Sequence, residues 1–139
     1  MKSIIAIYGK ANSGKTSTIK EISRLLCQKY HYSSDKVEDK GDDIYQVLTK
    51  DSIKIGIISQ GDVGSWVEEY LSELAKRECI LIICATRTRG KTCYAVDKYI
   101  GKWKIIWERI EYLSEDQSNS IKNNSVARVI SIIRNLQLI

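Results

Sequence analysis

One segment near the N-terminus has residue types and spacing that suit phosphate binding. Residues 9–16 read Gly-Lys-Ala-Asn-Ser-Gly-Lys-Thr and match G-x-x-x-x-G-K-[ST], a pattern that average composition produces by chance in such a chain roughly 0.5% of the time. Its glycines let backbone N–H groups converge on phosphate oxygens, and a following helix adds the positive end of its dipole. We expect phosphate contacts from Gly9, Asn12, Ser13, Gly14, Lys15, Thr16 and Ser17.

The elements around this segment have the order that such a loop requires. Residues 2–8 form an isoleucine-rich apolar run, and from Thr16 onward apolar residues recur every three or four positions. The sequence therefore predicts a strand, a loop and an amphipathic helix. Lys15 would reach the β and γ phosphates, and the Thr16 hydroxyl would hold Mg²⁺.

By residues 9–16 the chain resembles the P-loop NTPase superfamily. The resemblance implies a nucleoside triphosphate with Mg²⁺ as ligand, and a second acidic residue near the end of a neighbouring strand. The run Ile53–Ile58 continues as Ser59-Gln60-Gly61-Asp62, so the aspartate arrives three residues late. Asp62 is the first candidate for a water-mediated Mg²⁺ contact and Ser59 the second. A loop aspartate that supports the next helix is the alternative for Asp62.

Two further segments are expected to border the nucleotide, because ligands of open α/β sheets bind outside the carboxyl ends of strands. Residues 59–62 and 84–88 follow predicted strands, and both resemble motifs of small, uncharacterised bacterial P-loop proteins. Gln60 is a candidate for orienting an attacking water. Arg87 and Arg89 are candidates for pairing with the transferring γ-phosphoryl group or with a phosphate of a second substrate. The alternative for Gln60 is an ordinary polar loop side chain. The alternative for Arg87 and Arg89 is a solvated basic loop.

The sequence favours ATP over GTP. Guanine-specific P-loop proteins carry Asn/Thr-Lys-x-Asp after a late strand, and this chain has no such segment.

The remaining periodicity predicts one α/β domain over residues 1–139, a three-layer sandwich with a mostly parallel sheet and a β-hairpin. Residues 31–43 are polar and acidic and predict a solvated loop, whereas residues 44–49 and 53–59 predict the hairpin. Further helices are expected at about 66–77, 92–99 and from 124 or 125 onward, with further strands at 80–84 and 103–107.

Composition narrows the class of protein. The 139 residues have 43% hydrophobic and 28% charged side chains, and no apolar run approaches the 18 residues of a membrane span. We therefore expect a soluble, cytoplasmic protein with no membrane partner. The four cysteines have no Cys-x-x-Cys spacing and there is one histidine, which argues against zinc and disulfides. The net charge of +5 suits anionic partners.

Two classes of function fit these observations. The first is an enzyme, a Mg²⁺-dependent ATPase or phosphotransferase with Lys15, Gln60, Asp62, Arg87 and Arg89 as catalytic candidates; a nucleotide or nucleic-acid kinase belongs here. The predicted hairpin after the acidic segment resembles switch-type P-loop proteins and favours hydrolysis. The second is a nucleotide-dependent interaction module, with a nucleic acid or a protein as its partner and negligible turnover alone.

Overall fold

Strands and helices alternate along the chain as the hydrophobic pattern predicts. The computed structural model describes residues 2–9, 14–40, 43–60, 64–88, 90–110 and 115–139. Its elements are β1 (Ser3–Tyr8), α1 (Lys15–Gln28), β2 (Ser33–Lys40), β3 (Asp43–Lys50), β4 (Ile53–Ile58), α2 (Gly64–Lys76), β5 (Leu81–Thr86), α3 (Lys91–Asp97), β6 (Lys104–Arg109) and α4 (Glu115–Asn135).

The six strands form one mixed sheet in the order β2-β3-β4-β5-β1-β6. Pairings are parallel between β4 and β5, β5 and β1, and β1 and β6. They are antiparallel between β2 and β3 and between β3 and β4. The α/β class and the β3–β4 hairpin are therefore confirmed. The sheet as a whole is mixed, because the hairpin brings antiparallel strands to one side of it.

Each face of the sheet has its own apolar core, because successive side chains of a strand point to opposite faces. Ile5 and Ile7 of β1 pack in a cluster with residues of α1 and α4. Ile4 and Ala6 belong to a second cluster, which contains residues of α2 and α3. This arrangement of helices on both faces is compatible with a three-layer sandwich.

The parallel strands all end at one edge of the sheet, which we call the carboxyl edge. Ala6 of β1 is in register with Cys84 of β5 and with Trp107 of β6, and Cys84 is in register with Ile58 of β4. Because β3 runs antiparallel to β4, its first residue, Asp43, also lies at this edge.

Two regions differ from the sequence-based expectation. Residues 33–40, predicted as a solvated loop, form the edge strand β2. An edge strand has one neighbour and tolerates polar side chains, so apolar alternation gave no signal for it. Helix α4 begins at Glu115 rather than at residue 124 or 125, because its first turns lack the apolar spacing on which the prediction depended.

Helix α2 approaches the sheet closely at Gly56 of β4. A Cβ atom on Gly56 would lie 2.9 Å from both methyl carbons of Leu74, a fully buried side chain of α2. We expect Gly56→Ala to lower the free energy of unfolding by about 1 kcal/mol or more, because a buried leucine has little room to move. Urea titration measures this change, and an unaltered midpoint would mean that α2 repacks freely.

Of the helices in the described ranges, none combines the length and the apolar character needed to cross a membrane.

Candidate phosphate and metal site

Lys15, the first residue of α1, is buried at the carboxyl edge. Its side chain is 6% exposed, and its Nζ donates hydrogen bonds to the carbonyl oxygens of Gly9 at 2.8 Å and Thr86 at 3.0 Å. The Gly9 N–H also donates to the Thr86 oxygen, at 3.3 Å. The ammonium group is therefore fixed where β1 and β5 end, although 71 residues separate Lys15 from Thr86.

The start of α1 suits an anion. Gly14 precedes the helix with φ of 90°, a left-handed conformation that a side chain would strain. Gly14 has no side chain to cap the helix, and the first turn of α1 contains no acidic residue. The positive end of the helix dipole is thus not countered by a carboxylate from this turn. Ser17, another predicted phosphate contact, lies exposed in the same turn.

A cluster of three side-chain oxygens lies beside the start of α1. The hydroxyl of Thr16 donates to Oδ1 of Asp43 at 3.1 Å, and the hydroxyl of Ser59 donates to the same oxygen at 3.0 Å. The backbone N–H of Ile44 donates to the Ser59 hydroxyl at 2.8 Å. One carboxylate oxygen therefore joins α1, the start of β3 and the end of β4. We call Thr16, Asp43 and Ser59 the oxygen cluster.

The oxygen cluster has the chemistry of a magnesium site. Mg²⁺ prefers oxygen ligands and is commonly held by one or two carboxylates together with substrate phosphates. Within the described part of the chain, no group of three or more His, Cys, Asp or Glu side chains is arranged to hold a metal. A cation at the oxygen cluster would therefore take its other ligands from phosphates and water.

Sequence reasoning missed Asp43. The polar, acidic pattern of residues 31–43 predicts a solvated loop at this position, and the resemblance places the second acidic residue of the metal site near the end of a neighbouring strand. The signal was present in the predicted hairpin, because the first residue of one hairpin strand lies beside the last residue of its partner. Ser59, the second candidate for the metal contact, does lie in the oxygen cluster.

Gln60 follows β4 and carries a buried acceptor. Its Oε1 atom is buried and receives no hydrogen bond from the residues that the structure describes. Such an acceptor costs about 1–3 kcal/mol when no donor reaches it. A water or ligand donor at this point of the carboxyl edge would remove that cost.

Arg87 lies next to the lysine site and has a well-anchored backbone. It directly follows Thr86, whose carbonyl oxygen accepts from Lys15. The Arg87 N–H donates to the Thr92 hydroxyl at 2.9 Å, and its carbonyl accepts from the Thr86 hydroxyl at 3.0 Å and from Cys93 Sγ at 2.8 Å. The side chain of Arg87 is exposed.

The described residues bring together part of the predicted site. Gly9, Gly14, Lys15, Thr16, Gln60 and Arg87 lie at the carboxyl edge or at the start of α1 beside it. The predictions for Asn12, Ser13, Asp62 and Arg89 fall outside the described residues.

No protein-family model, curated protein or solved structure matches this chain. The assignment of a function therefore depends on the geometry of the site.

Proposed function

We propose that this chain is a P-loop NTPase that binds ATP with Mg²⁺ and hydrolyses it or transfers its terminal phosphoryl group. One observation carries the proposal: consecutive residues of α1, Lys15 and Thr16, contribute a buried ammonium and a hydroxyl bonded to Asp43. Four parallel strands that end at the same edge further support a P-loop-like fold.

Each part of the site has a role in this proposal. Lys15 and the N–H groups of the first turn of α1 bind the phosphates. Thr16, Asp43 and Ser59 fit a hard cation, because the two hydroxyl oxygens lie 3.1 and 3.0 Å from the same carboxylate oxygen of Asp43. The cation would supply positive charge that neutralises the phosphate oxygens.

Gln60 favours hydrolysis over transfer to another substrate. An amide oxygen that is buried without a hydrogen-bond donor among the described residues can hold a water in one orientation. Arg87, one residue beyond the lysine site, would stabilise charge that develops on the phosphoryl oxygens.

The second candidate function is a nucleotide-dependent interaction module. Large exposed apolar side chains on α2, on α3 and just after α3 favour it, because Trp66, Tyr94 and Ile100 are 41%, 65% and 63% exposed. Exposed aromatic residues are enriched in protein interfaces. The excess of basic residues, a net charge of +5, extends the choice of partner to nucleic acid.

A nucleotide panel tests the proposal. We expect ATP with Mg²⁺ to raise the melting temperature more than GTP does, and to release phosphate at a measurable rate. If ATP raises the melting temperature but no phosphate is released, either in the presence or in the absence of candidate acceptors, the interaction module is favoured. No shift with any nucleotide would contradict both functions.

Asp43→Asn tests the metal site. We expect it to raise the Mg²⁺ concentration needed for half-maximal ATP stabilisation by about tenfold or more, because the amide lacks the charge that attracts the cation. The amide oxygen can still accept from Thr16 and Ser59, so the fold is preserved. Magnesium titrations of the thermal shift measure the effect.

Asp51→Asn is the matched control, because Asp51 lies in the turn between β3 and β4 at the opposite end of the hairpin. We expect it to titrate with Mg²⁺ like the unmodified protein. Asp62→Asn tests the carboxylate that the sequence suggested. If Asp62→Asn raises the Mg²⁺ concentration needed for half-maximal ATP stabilisation and Asp43→Asn does not, the metal contact belongs to Asp62 and not to Asp43.

A further inference from the structure

A cleft of about 450 Å³ lies at the carboxyl edge on the α3 side of the sheet. Its described lining comes from the end of β1, the loop after β5, helix α3 and strand β6, namely Tyr8, Thr88, Cys93, Asp97 and Trp107. Tyr8 directly precedes Gly9, whose carbonyl accepts from Lys15. The cleft therefore begins one residue away from the proposed phosphate site, and its volume lies in the range of small-molecule pockets.

Two aromatic rings form one wall of this cleft. Tyr8 and Trp107 meet edge to face, with ring centroids 5.8 Å apart and planes at 84°. Trp107 is 38% exposed although it lies on a strand that pairs with β1. Exposed indole surface next to a phosphate site offers a platform on which a planar ring can stack.

Charge and hydrogen bonding narrow the class of ligand. Asp97 is the one charged side chain among the described lining residues, and it is negative. A carboxylate repels phosphates and carboxylates and accepts hydrogen bonds from amino groups. The described lining thus suits a planar uncharged ring that carries an N–H donor.

We propose that this cleft binds the purine base of the nucleotide whose phosphates contact Lys15. The base stacks on Trp107 and donates a hydrogen bond from its amino group to Asp97, while the ribose spans the region of Tyr8. Trp107 on β6 is in register with Ala6, two residues before the end of β1 at Tyr8. Strands lie about 4.8 Å apart and rise about 3.3 Å per residue, so a nucleoside can cover the distance from the end of β1 to Trp107. This inference depends on the proposed nucleotide-binding function.

Inorganic tripolyphosphate distinguishes binding at the phosphate site from binding in the cleft, because it has the phosphates of ATP and no base. We expect Trp107→Ala to weaken ATP binding about tenfold, because the base loses its stacking contact. Tripolyphosphate binding should stay unchanged, because this ligand has no base. Trp107→Phe, which retains a ring, should recover part of the ATP affinity. Calorimetric titration with both ligands gives these values.

Trp66→Ala is the matched control, because Trp66 has nearly the same exposure as Trp107, 41% against 38%, and lies on α2 outside the cleft. It should bind both ligands like the unmodified protein. Unchanged ATP affinity in Trp107→Ala, or an equal loss for ATP and tripolyphosphate, would overturn the inference.

The thiol of Cys93 reports on the cleft in the unmodified protein. Cys93 lines the cleft and is partly exposed, whereas Cys79 and Cys84 are buried. Burial raises the pKa of the Cys84 thiol to about 12, which keeps it protonated and unreactive. Cys27 is partly exposed near the far end of α1, where burial also raises its pKa.

We expect ATP to slow the alkylation of Cys93 severalfold and tripolyphosphate to leave its rate unchanged. Alkylation of Cys27 should be unaffected by either ligand. Mass spectrometry of the labelled peptides measures both rates. Equal protection of Cys93 by both ligands, or by neither, contradicts the base site. If neither ligand shifts the melting temperature, the proposed nucleotide binding itself fails, and this inference fails with it. If ATP raises the melting temperature but does not protect Cys93 from alkylation, nucleotide binding stands and only the proposed base site is wrong.

Discussion

The Lys15→Ala variant is expected to lose the rise in melting temperature that ATP with Mg²⁺ gives the unmodified protein. A ligand that binds only the folded state stabilises it by about 2.7 kcal/mol at 100 times its Kd. For a chain of this length that is a shift of about 9 °C. Without the ammonium group at the carboxyl edge, the phosphates lose their charged partner, and thermal denaturation should show no shift.

The stability of the variant without ligand has to be measured first. An exposed loop lysine contributes little to stability, but the Lys15 residue is 6% exposed and its Nζ is bonded to two backbone carbonyls. Its loss leaves the acceptors of Gly9 and Thr86 with fewer partners, which costs about 1–3 kcal/mol. Each variant is therefore compared with its own melting temperature in the absence of ATP.

Lys29→Ala is the matched control for Lys15→Ala. Lys29 is exposed and caps the opposite end of α1, so the substitution removes the same charge far from the site. We expect Lys29→Ala to keep the full ATP shift. A full shift in Lys15→Ala as well would show that the phosphate loop is assigned incorrectly.

The Arg87→Ala variant is expected to turn over ATP about 100-fold more slowly, with ATP affinity within a few fold of the unmodified protein. An arginine that meets a transferring phosphoryl group acts mainly in the transition state, where arginine fingers contribute about 10³- to 10⁵-fold. Because the Arg87 backbone is fixed by Thr86, Thr92 and Cys93, removing the side chain should not displace the loop. Steady-state phosphate release and ATP titration together measure the effect.

Arg87→Lys should restore little of the rate, since a point charge does not reproduce the planar guanidinium fork. Arg24→Ala on α1, where Arg24 is exposed and pairs with Glu21, serves as the control and should leave turnover unchanged. Arg89→Ala is measured in parallel. If Arg87→Ala keeps normal turnover and loses binding to a nucleic acid or protein, the loop is a docking surface and the interaction module is favoured.

Much of the fold follows from local sequence pattern. The isoleucine-rich run before Gly9 and the helical spacing after Thr16 give β1 and α1, because both signals arise from residues that are neighbours in the chain. The short connection of residues 50–52 dictates the β3–β4 hairpin, since a crossover needs about a dozen residues. Gly14 likewise follows from the motif, because its left-handed φ requires glycine.

The tertiary structure alone decided which groups meet at the carboxyl edge. Lys15 bonds to Thr86 only because β5 pairs with β1. The hairpin places Asp43 beside Ser59, but Asp43 reaches Thr16 only because β3 and β4 join the sheet against which α1 packs. Strand β2 pairs with β3 although its own polar pattern predicts a loop. These outcomes depend on strand order and direction, which are set by burial of both faces of the whole sheet. Pairing of segments so distant in sequence leaves no local periodicity for sequence reasoning to detect.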